Sequence, residues 1–137
     1  MESVLHDIPL SPPGQFDVSE LQYYHLAQVQ IHDPLDCVSF HTPYLPALGL
    51  TRAQLVDSLP ACYVETQRWA EAAYRQQLGA KGIAYGSRRD DAARCLMLFG
   101  QRLPDPPLTV LQSGPLAVSP RREEVLALVR RLKIREI

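Results

Sequence analysis

Between Pro60 and Gly79 the chain runs through "ACYVETQRWAEAAYRQQL" without a single glycine or proline, while all twelve prolines and all seven glycines lie outside it. This stretch is rich in helix formers, and Gly79 is a usual helix terminator, so residues 61 to 78 are predicted to form a helix. Tyr63, Gln67, Ala70, Tyr74 and Leu78 fall close to one face, with Trp69 and Ala73 alongside. Trp69 is read as core packing, not as a surface for ligand stacking.

The remaining segments are short. Residues 2 to 7 read as the last turns of a helix, because Val4 and Leu5 are apolar and "PLSPPG" stops anything helical. Leu26, Val29 and Ile31 alternate with polar neighbours and predict a strand. "DCVSFH" predicts another after the turn "HDPLD", and the two look like a hairpin. "TPYLPALGL" is loop, and Thr51 can cap a short helix through Leu55. Strands are expected at Ile83 to Tyr85 and Cys95 to Phe99, with an edge strand at Leu108 to Leu111. In the tail, Ser119 is the expected N-cap, Pro120 the first helical residue, and Val125, Leu128, Val129 and Leu132 one apolar stripe. With no internal repeat and no linker, the 137 residues are expected to form one α+β domain with its own core.

Composition narrows the function classes. No run of about 18 apolar residues exists, and the N-terminus has no basic region of the signal-peptide kind. Cys37, Cys62 and Cys95 stand apart among apolar or aromatic neighbours and are read as buried free thiols, which implies a reducing cytoplasm. His6, His25, His32 and His41 form no metal-binding pair. The net charge of -1 conceals an asymmetry: residues 1 to 51 hold six acids and no Lys or Arg, and residues 52 to 137 hold all fourteen basic residues. Either the two halves compensate one another, or the arginines bind an anion such as a carboxylate or phosphate. Direct nucleic-acid binding is disfavoured, because the chain is not basic overall and Glu123, Glu124 and Glu136 interrupt the arginines of the tail.

The stretch "GIAYGSRRDDAARCLMLFGQR" ends a strand on Gly-Ser-Arg-Arg and resumes with another at Cys95. It is neither a nucleophile elbow, since Tyr85 and Arg89 flank Ser87 where glycines are required, nor a phosphate-binding glycine loop. What remains is a serine at the carboxyl end of a strand. Its hydroxyl can donate or accept toward a ligand, and Arg88 or Arg89 can meet a diphosphate.

The run from Tyr63 to Leu103 resembles the C-terminal half of the RES domain, a bacterial toxin family named for its Arg, Glu and Ser signature residues. Tyr85, Ser87, Arg88 and Phe99 stand where that family has its turn and following strand, with Gly86 in place of the usual proline. "ESVLHD" is similar to the family's Ala-x-x-Glu-x-x-x-His stretch, which makes Glu2 the glutamate and puts His6 one turn later. The family's Arg and a following Tyr lie upstream of that glutamate, so the resemblance implies a domain lacking its N-terminal portion.

The resemblance implies an ADP-ribosyltransferase-like fold of mixed and antiparallel sheets with flanking helices. It also implies a toxin that degrades NAD, its substrate, by hydrolysis or phosphorolysis without metal or cofactor. Glu2 and Ser87 would be the catalytic residues and Arg88 a substrate-binding one. The partner it implies is a small helical DNA-binding antitoxin, with no membrane or nucleic-acid contact. The alternative is a catalytically incomplete remnant that only binds the antitoxin. Loss of the upstream strands would leave an edge or apolar face to be covered by a partner or by self-association into a homo-oligomer.

Overall fold

The computed structural model describes residues 2–5, 8, 14–105 and 108–137. Its helices and its parallel and antiparallel strand pairs make the chain α+β. It divides into two compact units, Met1–Gln30 with Leu108–Ile137, and Ile31–Pro107. The elements in chain order are α1 (Glu2–Leu5), β1 (Gln15–Phe16), β2 (His25–Ile31), β3 (Cys37–Ser39), α2 (Arg52–Leu55), α3 (Tyr63–Gln76), β4 (Gly82–Gly86), β5 (Arg94–Leu98), β6 (Leu108–Pro115), α4 (Arg121–Arg131) and β7 (Arg135–Glu136).

In the first unit, β1 pairs in parallel with β7, Gln15 opposite Arg135 and Phe16 opposite Glu136. Asp17 caps a 3-10 turn over Val18–Tyr23 by accepting the Ser19 amide at 2.8 Å. The core is Leu5, Phe16, Leu21, Leu116, Val125, Val129 and Ile134. The apolar stripe of α4 therefore faces inward, with Leu128 and Leu132 packed at its margin and Leu126 buried as well. The cap of α4 sits one residue later than expected, at Pro120, and follows a cis Ser119-Pro120 bond.

In the second unit, β4 is the central strand of three. It pairs in parallel with β3, Cys37 opposite Gly82 and Ser39 opposite Ala84. It pairs antiparallel with β5, from Gly82 opposite Leu98 to Gly86 opposite Arg94. A parallel pair needs a crossover, and α2 and α3 supply it between β3 and β4. Phe40, Leu45, Ala73 and Ile83 form the core, with Trp69, Ala70, Tyr85 and Phe99 packed against them. Trp69 is thus a packing residue.

Four expectations are corrected. The strands at residues 26–31 and 36–41 do not form a hairpin: β2 pairs with β6, and β3 with β4. The proline-rich stretch is not open loop. Thr42–Leu48 is a 3-10 helix with Pro43 in its first turn, where a fixed φ is favourable, and Gly49 closes it at φ 70°. Cys62 is exposed rather than buried, and Leu78, beyond the end of α3 at Gln76, is 79% exposed.

Candidate functional site

Ser87 follows the last residue of β4, with β3 on one side of that strand and β5 on the other. The residue is only 3% exposed. Its amide donates to the Ala93 carbonyl at 2.9 Å and closes the connection to β5, while the Ala93 amide donates to the Asp90 carbonyl at 2.9 Å. The serine hydroxyl oxygen accepts the Arg89 amide at 3.0 Å and the Asp90 amide at 3.1 Å. Asp90 in turn accepts the Ala92 amide at 3.1 Å. A buried serine here satisfies backbone donors that the sheet no longer serves, which is why a hydroxyl stands directly after the glycine.

The Ser87 carbonyl is held as well. Arg52 Nη2 donates to it at 2.8 Å across 35 positions of sequence. Arg52 opens α2, whose capping box is complete: the Gln54 amide donates to Thr51 Oγ1 at 3.4 Å, and the Thr51 amide donates to Gln54 Oε1 at 2.9 Å. The guanidinium also pairs through Nε with Asp57 at 3.1 Å and through Nη2 with Asp91 at 3.0 Å. Gly86 makes room for it, since a Cβ at Gly86 would lie 3.2 Å from Arg52 Nη1 and 4.0 Å from His41 Nδ1. Sequence reasoning marked Thr51 as a cap but missed Arg52 and His41. Nothing local signals a contact that forms only when β3, α2 and the end of β4 converge.

Of the sequence-predicted site residues, Ser87 and Arg88 share this loop, and Arg88 is half-buried. Glu2 opens α1 in the other unit. His6 lies outside the described residues.

Elsewhere in the second unit a cavity of about 380 Å³ is lined by Asp36, Cys37, Val38, Gln77, Gly79 and Ala80. Burial, and then the neighbouring Asp36 carboxylate, raise the Cys37 pKa above the ordinary thiol value. Cys37 is therefore protonated at neutral pH and poorly suited to nucleophilic attack. Among the described residues, no three of His, Cys, Asp and Glu gather in a way that could hold a metal ion, and no helix is long and apolar enough to cross a membrane.

A family model described as the RES domain matches residues 1–120 of the chain. No curated protein and no solved structure matches it.

Proposed function

The chain belongs to the RES domain family, and on that premise we propose that it degrades NAD by cleaving the bond between nicotinamide and ribose, as a growth-inhibiting toxin restrained by a cognate antitoxin. The observation that carries this reading is the family match over residues 1–120, which includes both Glu2 and the Ser87 strand end.

The chemistry suits the residue types. The C–N bond breaks with its electron pair leaving on the nicotinamide ring nitrogen, whose positive charge is thereby neutralised. The positive charge passes to the ribose as an oxocarbenium-like centre, which the Glu2 carboxylate stabilises. Water or phosphate then adds its oxygen to the same carbon. With water a proton is released and ADP-ribose forms; with phosphate the product is the corresponding sugar phosphate. Arg88 binds the diphosphate. Ser87 orients nicotinamide or the adjoining ribose, and its oxygen's commitment to two amides supports orientation over nucleophilic attack. The antitoxin is a small helical DNA-binding protein, and the site of action is the cytoplasm, where NAD is plentiful and free thiols stay reduced.

The test is nicotinamide release from NAD by the purified chain, with and without phosphate, beside Glu2→Gln and Ser87→Ala variants whose folding is checked by circular dichroism. Release by the wild type that falls about a hundredfold or more in Glu2→Gln is expected. Dependence on phosphate names the acceptor. A folded wild-type chain that releases no nicotinamide overturns the enzyme reading and leaves antitoxin binding as the function.

A further inference from the structure

We propose that Arg52 is the positioning residue of the Ser87 strand end: it locks the 87–93 connection in the one conformation in which Ser87 and Arg88 serve the substrate. The inference rests on the NAD-degrading reading for its catalytic consequence, but not for its structural half.

Four observations converge on this arginine. Its Nη2 donates to the Ser87 carbonyl at 2.8 Å, a charge-assisted bond of the stronger kind. The same nitrogen reaches Asp91 at 3.0 Å, so one guanidinium holds the loop at its start and at its middle. Asp57, immediately beyond α2, holds Nε at 3.1 Å and fixes the fork's orientation. Gly86 leaves the space that the guanidinium fills, since any Cβ there would come within 3.2 Å of Nη1.

The stem of Arg52 is anchored independently. It stands at the first position of α2, whose start is set by the Thr51–Gln54 capping box. The side chain is 25% exposed, so its ion pairs are partly shielded from water, whereas Asp91 is 89% exposed. The Asp91 contact is accordingly the weaker of the two loop contacts, and the bond to the Ser87 carbonyl is the one that matters. Hydrogen bonding within residues 87–93 keeps the loop closed upon itself. None of those internal bonds fixes the loop to α2; Arg52 does.

A guanidinium is suited to this duty and an ammonium is not. Its planar fork reaches carbonyl and carboxylates in fixed directions at once, and lysine offers only a point charge. Arg52 acts through Ser87 and is not itself assigned to the substrate. Displacing a reacting group by about 1 Å can cost on the order of a hundredfold in rate, so the loss of Arg52 is expected to appear in kcat and not only in stability.

Two measurements on the full chain decide the matter. The first is hydrogen exchange at the Arg89 and Asp90 amides, the two donors to Ser87 Oγ, in wild type, Arg52→Ala and Arg52→Lys. Arg52→Ala is expected to lose at least tenfold of the protection there while amides in β4 keep theirs, and Arg52→Lys to recover only part of it. Unchanged protection at both amides overturns the proposal. The second is nicotinamide release from NAD. Arg52→Ala is expected to lower kcat about ten- to a hundredfold with KM within about twofold, and to add little further loss to Ser87→Ala. Full additivity of the two substitutions overturns it. A wild-type chain without turnover refutes the NAD reading alone, and the exchange measurement still decides whether Arg52 holds the loop.

Discussion

The Arg102 guanidinium lies over the ring of Tyr74, 4.0 Å from its centroid, just beyond the C-terminal end of α3. It donates there to three carbonyls that the helix leaves unpaired or that lie just past its end: Tyr74, Gln77 at 2.7 Å and Ala80 at 3.0 Å. Phe99 meets Tyr74 edge-on at 5.0 Å, and the Tyr74 hydroxyl donates to Gln101 at 2.9 Å. One arginine therefore closes a helix whose end lacks a glycine in the left-handed conformation, while joining α3 to the segment after β5.

Arg102→Ala is expected to destabilise the chain by about 2–4 kcal/mol, because it removes a cation–π contact and a donor to the part-buried carbonyls of Tyr74 and Ala80. Arg102→Lys is expected to recover less than half, since an ammonium cannot reach three acceptors from one plane. Urea titration followed by circular dichroism reads both. A loss under about 0.5 kcal/mol, the size of an ordinary surface substitution, would refute the capping role.

Gly82 is expected to tolerate no side chain. In the antiparallel pair it stands opposite Leu98, and a Cβ at that position would collide with the Met97 carbonyl oxygen and lie 3.3 Å from Leu98 Cα. Both obstacles are backbone, so relief requires the strands to separate. Gly82→Ala is expected to cost about 2–4 kcal/mol. Gly79→Ala, where nothing lies within 4 Å, is the matched control and is expected to be close to neutral. Equal denaturation midpoints for the two variants would sink the argument.

What was legible in the sequence was local. The Thr51 cap, the glycine- and proline-free helix and the stripe of Val125, Leu128, Val129 and Leu132 each depend on residues within a few positions of one another, and each forms close to its expected place. The alternation at Leu26, Val29 and Ile31 identified a strand correctly. It could not identify the partner, because β2 pairs with a strand some eighty residues away while a plausible turn lies next to it. Proximity in sequence favours a hairpin; here the "HDPLD" turn separates strands of two different sheets.

Ser87 shows the same division. Its place at a strand end was readable from the change from apolar to polar residues. Its partner Arg52, and His41 beside the preceding Gly86, were not, because they arrive through the parallel crossover from β3 to β4. Arg102 was likewise unreadable: in the sequence it is one arginine among many, and only the geometry distinguishes a helix-closing arginine from a ligand-binding one.

The three thiols are expected to differ in reactivity. Cys62 is exposed at the N-terminal end of α3, whereas Cys37 and Cys95 are half-buried, and burial with the nearby Asp36 raises the Cys37 pKa. At pH 8 a disulfide-exchange reagent is expected to label Cys62 first and Cys37 at least roughly tenfold more slowly, because Cys37 is less accessible and its pKa is raised. Cys62→Ser should remove the fast phase alone. A fast phase that survives this substitution would place the reactive thiol elsewhere.

Acid sensitivity is expected from two exposed carboxylates of the first unit. The Ser19 hydroxyl, and then the Ser19 amide, lower the Asp17 pKa. A hydrogen bond from the Ser119 hydroxyl, then one from its own backbone amide, and the adjacent Arg122 lower that of Glu123. In both cases the folded chain holds the charged form more firmly than the unfolded chain does. The stabilisation is complete above the ordinary carboxylate pKa of about 4 and is lost as pH falls through the lowered folded values. The Tm of the wild type should therefore fall more steeply as pH drops below about 4 than that of an Asp17→Asn, Glu123→Gln double variant. The variant should start lower at neutral pH, and the two curves should converge in acid. Parallel curves across that window would show that neither carboxylate's charge is coupled to folding. The Asp17 cap and the Ser119–Glu123 hydrogen bond would then be geometric features without electrostatic weight.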